Sequence, residues 1–163
     1  MLKGVSFKKF ESRLAHVVRE ELLTYIHHEI GEASQRKFVG RWWKEMILKL
    51  SYSRAELFMR GIKDILSDTC PSGMLSYIIK NRKTSSLHFY VALLGGFRKT
   101  IFPLMQKAYE DFVKTGNWHL IEKARADGYK KVMGYVDVLR EIYNNGQISP
   151  DIIEQKVMQI PSP

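Results

Sequence analysis

Residues 85–112 read SSLHFYVALLGGFRKTIFPLMQKAYEDF, and their pattern decides the predicted fold. Apolar residues recur at spacings of three, four and seven, which is typical of an α-helix, and further apolar residues widen the stripe. Because little of the surface stays polar, we expect one long and largely buried helix at the centre of a bundle. The apolar positions are Leu87, Val91, Leu94, Ile101, Met105 and Phe112, with Leu93, Phe97, Phe102, Leu104 and Tyr109 widening the stripe.

Two features inside this segment predict a bend in the central helix. Gly95 and Gly96 lower helix stability and let another backbone approach closely. Pro103 removes the hydrogen bond to the carbonyl of Lys99. A kinked helix either encloses a pocket or wraps a small core, and both alternatives stay open. The first alternative predicts a ligand pocket lined by Leu94, Phe97, Phe102 and Trp118.

The segment that precedes residue 85 predicts shorter amphipathic helices. The first is expected over residues 6–30, with Gly31 as its C-terminal stop. Its apolar face holds Phe7, Phe10, Leu14, Val17, Val18, Leu22 and Ile26. Ser53 and Glu56 have the spacing of a capping box, which predicts the start of a further helix.

Residues 118–143 predict a second long helix. Small residues in the middle of its apolar face indicate a close crossing near Gly95 and Gly96. No segment reads as a convincing β-strand. We therefore predict an all-α fold with a single bundle of about five to seven helices over residues 1–146. A short C-terminal helix, tail or linker is expected over residues 147–163.

Composition limits the class of protein. The 163 residues are 45% hydrophobic, which suits one domain with one core. The single cysteine, Cys70, cannot form an intramolecular disulfide, and this favours a reducing compartment. The apolar runs are far too short to span a membrane, and the N-terminus is charged before any signal-type core. We expect a soluble, cytoplasmic protein.

The net charge of +9 suits an anionic partner such as nucleic acid. The basic residues fall in short groups at helical spacing, which is typical of solvated helix faces. Residues 39–61 fit a helix–turn–helix with residues 54–60 as the recognition helix. That helix contains Leu57, Phe58 and Met59, a composition typical of a core. Nucleic-acid binding is therefore the alternative function.

No catalytic or metal-binding motif is present in the sequence. His27 and His28 are adjacent, so on a helix they diverge by about 100° and cannot face one site together. His88 lies in the first turn of the central helix, where an axial heme ligand would point inward. A lone histidine among aromatic residues is more often a packed residue. We expect neither an enzyme nor a metal site, and we do not expect heme.

The second half of the chain contains the segments YIIKNRKTSSLHFYVALLGGFRKTIFPLMQKAYEDF and WHLIEKARADGYKKVMGYVDVLREIY. Through these segments, residues 74–143 resemble globin-like bacterial sensor domains, including globin-coupled sensors and the non-heme globin domains of stressosome proteins. A short helix and a basic turn lead into a long helix that opens near Phe89 and Tyr90. Heme-binding members carry a histidine on the short helix, but residues 74–83 contain none. The resemblance therefore implies a non-heme domain, with His88 as the only nearby substitute ligand.

This resemblance also implies a function and partners. It implies a sensory or regulatory domain that binds a small apolar ligand or a protein partner and signals through its C-terminal helix. Related domains dimerise through their last two long helices. The resemblance thus implies a homodimer through residues 87–143, with a downstream signalling protein as a further partner.

Overall fold

A computed structural model describes the backbone of residues 7–158 and the side chains of residues 9–158. Within these residues the chain is helical and forms no β-strand, so the predicted all-α bundle is confirmed. The helices are α1 (Phe7–Ser34), α2 (Gly40–Lys49), α3 (Arg54–Thr69), α4 (Met74–Lys80), α5 (Thr84–Ala92), α6 (Gly96–Ile101), α7 (Pro103–Thr115), α8 (Trp118–Asn144) and α9 (Pro150–Ile153). A 3₁₀ turn spans Gln35–Lys37 and a π-helical turn spans Glu154–Met158. None of the helices in the described part is long and apolar enough to cross a membrane.

The predicted single helix over residues 85–112 is wrong, because this segment forms α5, α6 and α7. Gly95 is extended and Gly96 has a φ of +54°, a left-handed conformation that ends the helical path. Phe102 has a φ of −122° and a ψ of 55°, because the residue before a proline is disfavoured in the α conformation. Pro103 then begins α7, where its missing N–H costs nothing. The resulting breaks make the described helices more numerous than predicted.

The central element of the bundle is α3. Helices α1, α4, α6, α8 and α9 all pack against it. Its start is fixed by Ser53, whose Oγ accepts a hydrogen bond from the Glu56 N–H at 3.1 Å, as the capping spacing predicted. Glu56 in turn accepts from the Tyr52 N–H at 2.7 Å. Residues of α3 with no exposed surface are Ala55, Met59, Ile62, Ile65, Leu66 and Thr69.

Helix α1 crosses α3 at Gly31, so the predicted helix stop at this glycine is wrong. The helix continues to Ser34. A Cβ atom at residue 31 would lie 2.2 Å from the carbonyl oxygen of Ser67, which is far inside van der Waals contact. Glycine is required here because the two backbones touch, not because the helix ends.

The predicted crossing of α8 near Gly95 and Gly96 is also wrong. A Cβ atom at either glycine would meet nothing within 4 Å. The small residue in α8 that permits close packing is Gly128, where a Cβ atom would lie 2.4 Å from the ring of Phe102. The aromatic ring, rather than a backbone, fills the space above this glycine.

The apolar face predicted for α1 is exposed rather than packed. Every residue from 9 to 20 is exposed, and large apolar side chains from Phe10 to Ile30 are between 40% and 57% exposed. The side chain of Phe7, predicted on the same face, lies outside the described residues. The N-terminal half of α1 therefore projects beyond the bundle, while its C-terminal half packs on α3 and α4.

The described part of residues 147–163 packs on the bundle. Ser149 caps α9 by accepting a hydrogen bond from the Ile152 N–H at 3.3 Å. Ile153 and Val157 have no exposed surface. The C-terminal segment thus contributes to the same hydrophobic core as α3.

Two alanine substitutions test the helix crossing. Gly31→Ala is expected to lower the free energy of unfolding by about 3 kcal/mol, because the added methyl group meets the rigid Ser67 carbonyl. Gly134→Ala is the matched control in α8, where a Cβ atom meets nothing within 4 Å. It is expected to raise the free energy of unfolding by about 0.5–1 kcal/mol. Urea denaturation followed by circular dichroism measures both; equal effects of the two variants would contradict the crossing.

Candidate functional site

A cavity of about 280 Å³ lies between α1, α3 and α5. Each helix contributes one face, since the lining positions on α1 and α3 follow helical spacing. The cavity is lined by Glu21, Thr24, Tyr25, His28, Asp64, Asp68, Met74, Ser86, Phe89, Tyr90, Leu93 and Arg98. It lies next to the crossing of α1 over α3 and combines polar groups with aromatic side chains.

An ion pair between α1 and α3 forms one wall of the cavity. His28 Nδ1 lies 2.7 Å from Asp68 Oδ1, and the imidazole donates because a carboxylate carries no proton. The Asp68 side chain is only 2% exposed. The hydrogen bond to Asp68 raises the pKa of His28 against the opposing effect of burial, and the charges of Asp64 and Glu29 add to it. Burial raises the pKa of Asp64, and the nearby charge of Asp68 raises it further.

Buried polar atoms without partners are concentrated at this cavity. In the described part of the chain, four buried side-chain oxygens lack a hydrogen-bond partner of good geometry. Three of them belong to residues that line this cavity, namely Thr24 Oγ1, Asp68 Oδ2 and the Tyr90 hydroxyl. Burial raises the pKa of Tyr90 well above its ordinary value, and the nearby Asp68 carboxylate raises it further, so the hydroxyl stays protonated. An unsatisfied buried group costs about 1–3 kcal/mol, and a ligand that reaches these atoms removes that cost.

Two further polar groups of the cavity are already engaged. Ser86 Oγ donates to Glu21 Oε1 at 2.7 Å. Arg98 Nη2 donates to the Leu93 carbonyl at 2.8 Å. The second oxygen of Asp68 lacks a hydrogen bond of good geometry, which makes it a candidate acceptor for a ligand.

Exposed apolar side chains surround the mouth of the cavity. Tyr25, Phe89 and Leu93 are 54%, 46% and 60% exposed. Aromatic faces beside a carboxylate favour a ligand with positively charged N–H groups, because the ring and the carboxylate both attract a cation. The arrangement is suited to binding such a ligand.

A second, wider groove of about 890 Å³ lies between the end of α1, the 3₁₀ turn, α2 and α3. Five basic residues and one acidic residue line this groove. Their net charge is positive, whereas the carboxylates of the cavity are negative. These residues are Arg36, Arg41, Lys44, Arg60, Lys63 and Glu32. Lys63 pairs with Glu32, and Arg60 pairs with Glu56 on its own helix. Trp43, Ile47 and Leu48 add apolar surface to the same groove.

Comparison with known proteins places the chain in a family. Residues 2–159 match the family described as "Family of unknown function (DUF6866) C-terminal domain". The chain belongs to this family. No curated protein and no solved structure matches it. A functional proposal for this DUF6866 domain therefore depends on the chemistry of its own site.

Three of the residues predicted to line a pocket make packing contacts in the DUF6866 domain. Leu94 and Phe102 are buried in the core. Phe97 packs edge-on against Phe58, with ring centroids 5.7 Å apart. The ring of Phe102 covers Gly128. None of these side chains lines either of the two cavities described above.

Trp118 and His88 lie in two further environments. Trp118 packs against Phe112 with ring centroids 4.7 Å apart, and the Arg82 guanidinium lies 5.6 Å from its ring centroid. His88 is exposed, and its Nδ1 lies 2.7 Å from the Tyr109 hydroxyl. Neither Trp118 nor His88, the substitute heme ligand that the resemblance implied, lines either of the two cavities described above.

The residues of the cavity were missed because their burial depends on tertiary contacts. Asp64 and Asp68 are one helical turn apart on α3, a spacing that places both on one face. From the local sequence, a carboxylate on such a helix is predicted to be solvent-exposed. It is the crossing of α1 that covers Asp68 and brings Thr24 and His28 beside it.

Titration of His28 tests the ion pair. Its raised pKa means that the pair contributes stability fully below the ordinary pKa of about 6.5 and loses it as the pH rises through the raised value. In Asp68→Asn the pKa of His28 is expected to fall, because burial then acts without the charge. The His28 ring proton signals measured by NMR against pH report this shift, with exposed His119 as the internal control. An unchanged His28 titration in the variant would contradict the pairing.

Proposed function

We propose that this DUF6866 domain is a regulatory domain that binds a small ligand in the cavity between α1, α3 and α5. One observation carries the proposal: Thr24 Oγ1, Asp68 Oδ2 and the Tyr90 hydroxyl are buried, lack a hydrogen bond of good geometry and border the same cavity, where the Tyr90 hydroxyl faces the Asp68 carboxylate. Native structures rarely leave such atoms unsatisfied. Three of them at one cavity mark the place where a ligand supplies the missing hydrogen bonds.

The ligand we propose carries a positively charged N–H group attached to an apolar or aromatic part. The cation binds the free oxygen of Asp68, and the apolar part packs against Tyr25 and Phe89 at the mouth. This proposal replaces the purely apolar ligand expected from the sequence. It needs neither heme nor His88.

A regulatory role is supported by the way the cavity joins separate helices. Asp64 and Asp68 lie on α3, Thr24 and His28 lie on α1, and α9 packs on α3. A ligand that bridges these groups strengthens the contact between α1 and α3, and α3 carries the change to the C-terminal segment. This proposal keeps the sensory or regulatory role that the resemblance to globin-like sensor domains implied, and it keeps the cytoplasmic location and the lack of enzymatic activity expected from composition and motifs.

Three probes of matched shape test the ligand chemistry. Benzamidine carries the positively charged N–H group, benzamide is its neutral analogue, and benzoate reverses the charge. We expect benzamidine to bind with a dissociation constant in the millimolar range and the other two to bind more weakly. The methyl signal of Met74 in NMR reports binding because Met74 lines the cavity, while the buried Met105 serves as the internal control.

Variants decide whether the probe occupies the proposed site. Asp68→Asn is expected to weaken benzamidine binding about tenfold, since it removes a charged hydrogen-bond acceptor. Asp137→Asn on the exposed surface of α8 makes the same chemical change and is expected to have no effect. Binding of benzoate in preference to benzamidine would overturn the proposed ligand class. Failure of all three probes to shift the Met74 signal would overturn the site.

A second candidate function, nucleic-acid binding, is favoured by the basic groove beside α2. The groove combines Arg36, Arg41 and Lys44 with the apolar surface of Trp43. This candidate does not use the helix–turn–helix expected over residues 39–61. The recognition helix of that alternative, residues 54–60, is the first part of α3, in which Arg54 and Arg60 are exposed and Phe58 and Met59 are buried.

Salt dependence tests the second candidate. If the groove binds a fluorescent 20-mer duplex, the logarithm of affinity is expected to fall linearly with the logarithm of salt concentration. Replacing Arg36 and Lys44 by alanine is expected to reduce that slope by about 0.9 for each phosphate that the variant no longer neutralises. Lys107→Ala, an exposed position on α7, is the control. Binding that is absent, or that the control reduces equally, would exclude the groove as the nucleic-acid site.

A further inference from the structure

The N-terminal half of α1 exposes a continuous apolar surface. Between residues 9 and 20 no residue of α1 is buried or half-buried. Nine large apolar side chains of this helix are at least 40% exposed: Phe10, Leu14, Val17, Val18, Leu22, Leu23, Tyr25, Ile26 and Ile30. We call these nine side chains the α1 face. Six of them recur at every fourth residue from Phe10 to Ile30, so each lies next to the one before it, in a row that winds about 200° around the helix.

This surface requires a partner for a physical reason. Isolated helices shorter than about 12–15 residues are marginal in water, and most helical stability comes from packing an apolar face. Residues 9–20 of α1 are all exposed, and at the end of this stretch Glu20 pairs with Lys83. Exposed apolar surface of this extent also marks an interaction site in a folded protein.

The charges along α1 indicate what the partner is. Residues 9–19 contain three basic residues, Lys9, Arg13 and Arg19, against one acidic residue, Glu11. Residues 20–34 contain four acidic residues and no lysine or arginine: Glu20, Glu21, Glu29 and Glu32. Within the same chain Glu20 pairs with Lys83 and Glu32 pairs with Lys63. The helix therefore carries opposite charge at its two ends. A second α1 running in the opposite direction places each basic half beside an acidic half, whereas a parallel partner places like charges together.

We propose that α1 pairs in antiparallel fashion with α1 of a second copy of this chain, forming a two-fold symmetric dimer. The α1 face presents nine large apolar side chains that are each at least 40% exposed, and these are the side chains that the second copy covers. Antiparallel pairing is self-complementary, as a two-fold interface requires. In this dimer, the projecting half of each α1 packs against the partner's α1. The contact is made with the outer surface of that helix's packed half.

This dimer uses a different surface from the one expected over residues 87–143. Most large apolar side chains of that segment are buried in the described chain. Those that are exposed are Phe89, Leu93 and Val113. They do not form a stripe comparable with the α1 face. The α1 face shares one side chain, Tyr25, with the mouth of the cavity.

Light scattering coupled to size-exclusion chromatography tests the apolar part of the interface. The 163-residue chain is expected to be a dimer at about 100 μM, which is far above the dissociation constant of a standard interface. Val18→Glu and Leu22→Glu are each expected to give a monomer that keeps its helical circular dichroism, since both side chains are more than half exposed. Val113→Glu is the matched control, because it places the same charge on an exposed valine outside α1.

Complementary charge reversal tests the antiparallel orientation. One variant carries Arg13→Glu with Arg19→Glu, and a second carries Glu20→Lys with Glu29→Lys. In a homodimer of either variant, the halves of α1 that meet carry charges of the same sign. Each variant alone is therefore expected to dimerise at least tenfold more weakly than the wild type. An equimolar mixture of the two restores opposite charges at both contacts and is expected to form the heterodimer. A variant with all four changes keeps antiparallel attraction and is expected to dimerise with itself.

Several outcomes would overturn the proposal. If the wild-type chain is monomeric at 100 μM, a second copy is excluded as the partner of the α1 face. A dimer that Val113→Glu dissociates and Leu22→Glu leaves intact assigns the interface to residues 87–143 instead. A monomer that binds vesicles of phosphatidylcholine and phosphatidylserine through the α1 face shows that a membrane surface covers it.

Discussion

The crossing of α1 over α3 at Gly31 is the contact on which the candidate site depends. Because residue 31 has no side chain, the α1 backbone lies directly against the Ser67 carbonyl. His28 lies one turn before this contact on α1, and Asp68 directly follows Ser67 on α3. The approach of the two backbones therefore also closes the ion pair. A larger separation of the helices would break the pair and open the floor of the cavity.

The unfavourable feature of this arrangement, the buried Asp68 carboxylate, lies on the strongly packed helix α3. Burying the Asp68 carboxylate costs free energy, and His28 compensates only one of its oxygens. The same helix buries Met59, Ile62 and Ile65 completely, and each apolar side chain of this size contributes roughly 1.5–3 kcal/mol. Helix α3 therefore stays folded although it holds an incompletely paired charge. Groups that reduce stability in this way are characteristic of sites that a ligand completes.

The sequence was sufficient for the fold class but not for the contacts between helices. Helical periodicity and the cap at Ser53 are local, so the all-α bundle and the start of α3 were predictable. Periodicity did not reveal the breaks in residues 85–112, because three short helices that pack on one core repeat apolar residues much as one long helix does. Gly31 was misread because a glycine at a helix end and one at a helix crossing have the same local sequence signature. Asp68 was missed because its burial is supplied by another helix.

Helix α1 contributes to two proposed binding surfaces, the wall of the ligand cavity and the α1 face of the dimer. The length of the helix relates a movement at one surface to a movement at the other. Thr24 and His28 form a wall of the cavity, while the neighbouring α1 face extends outward from residue 30 to residue 10. Tyr25 belongs to both surfaces. Because a helix behaves as a rigid rod that rises about 1.5 Å per residue, a tilt of about 10° at the crossing moves a point 14 residues away by about 4 Å. That displacement approaches the spacing of successive turns, so packing along a helix pair would change. A ligand that tilts α1 at its crossing with α3 therefore also displaces the far end of α1, which forms the proposed dimer interface.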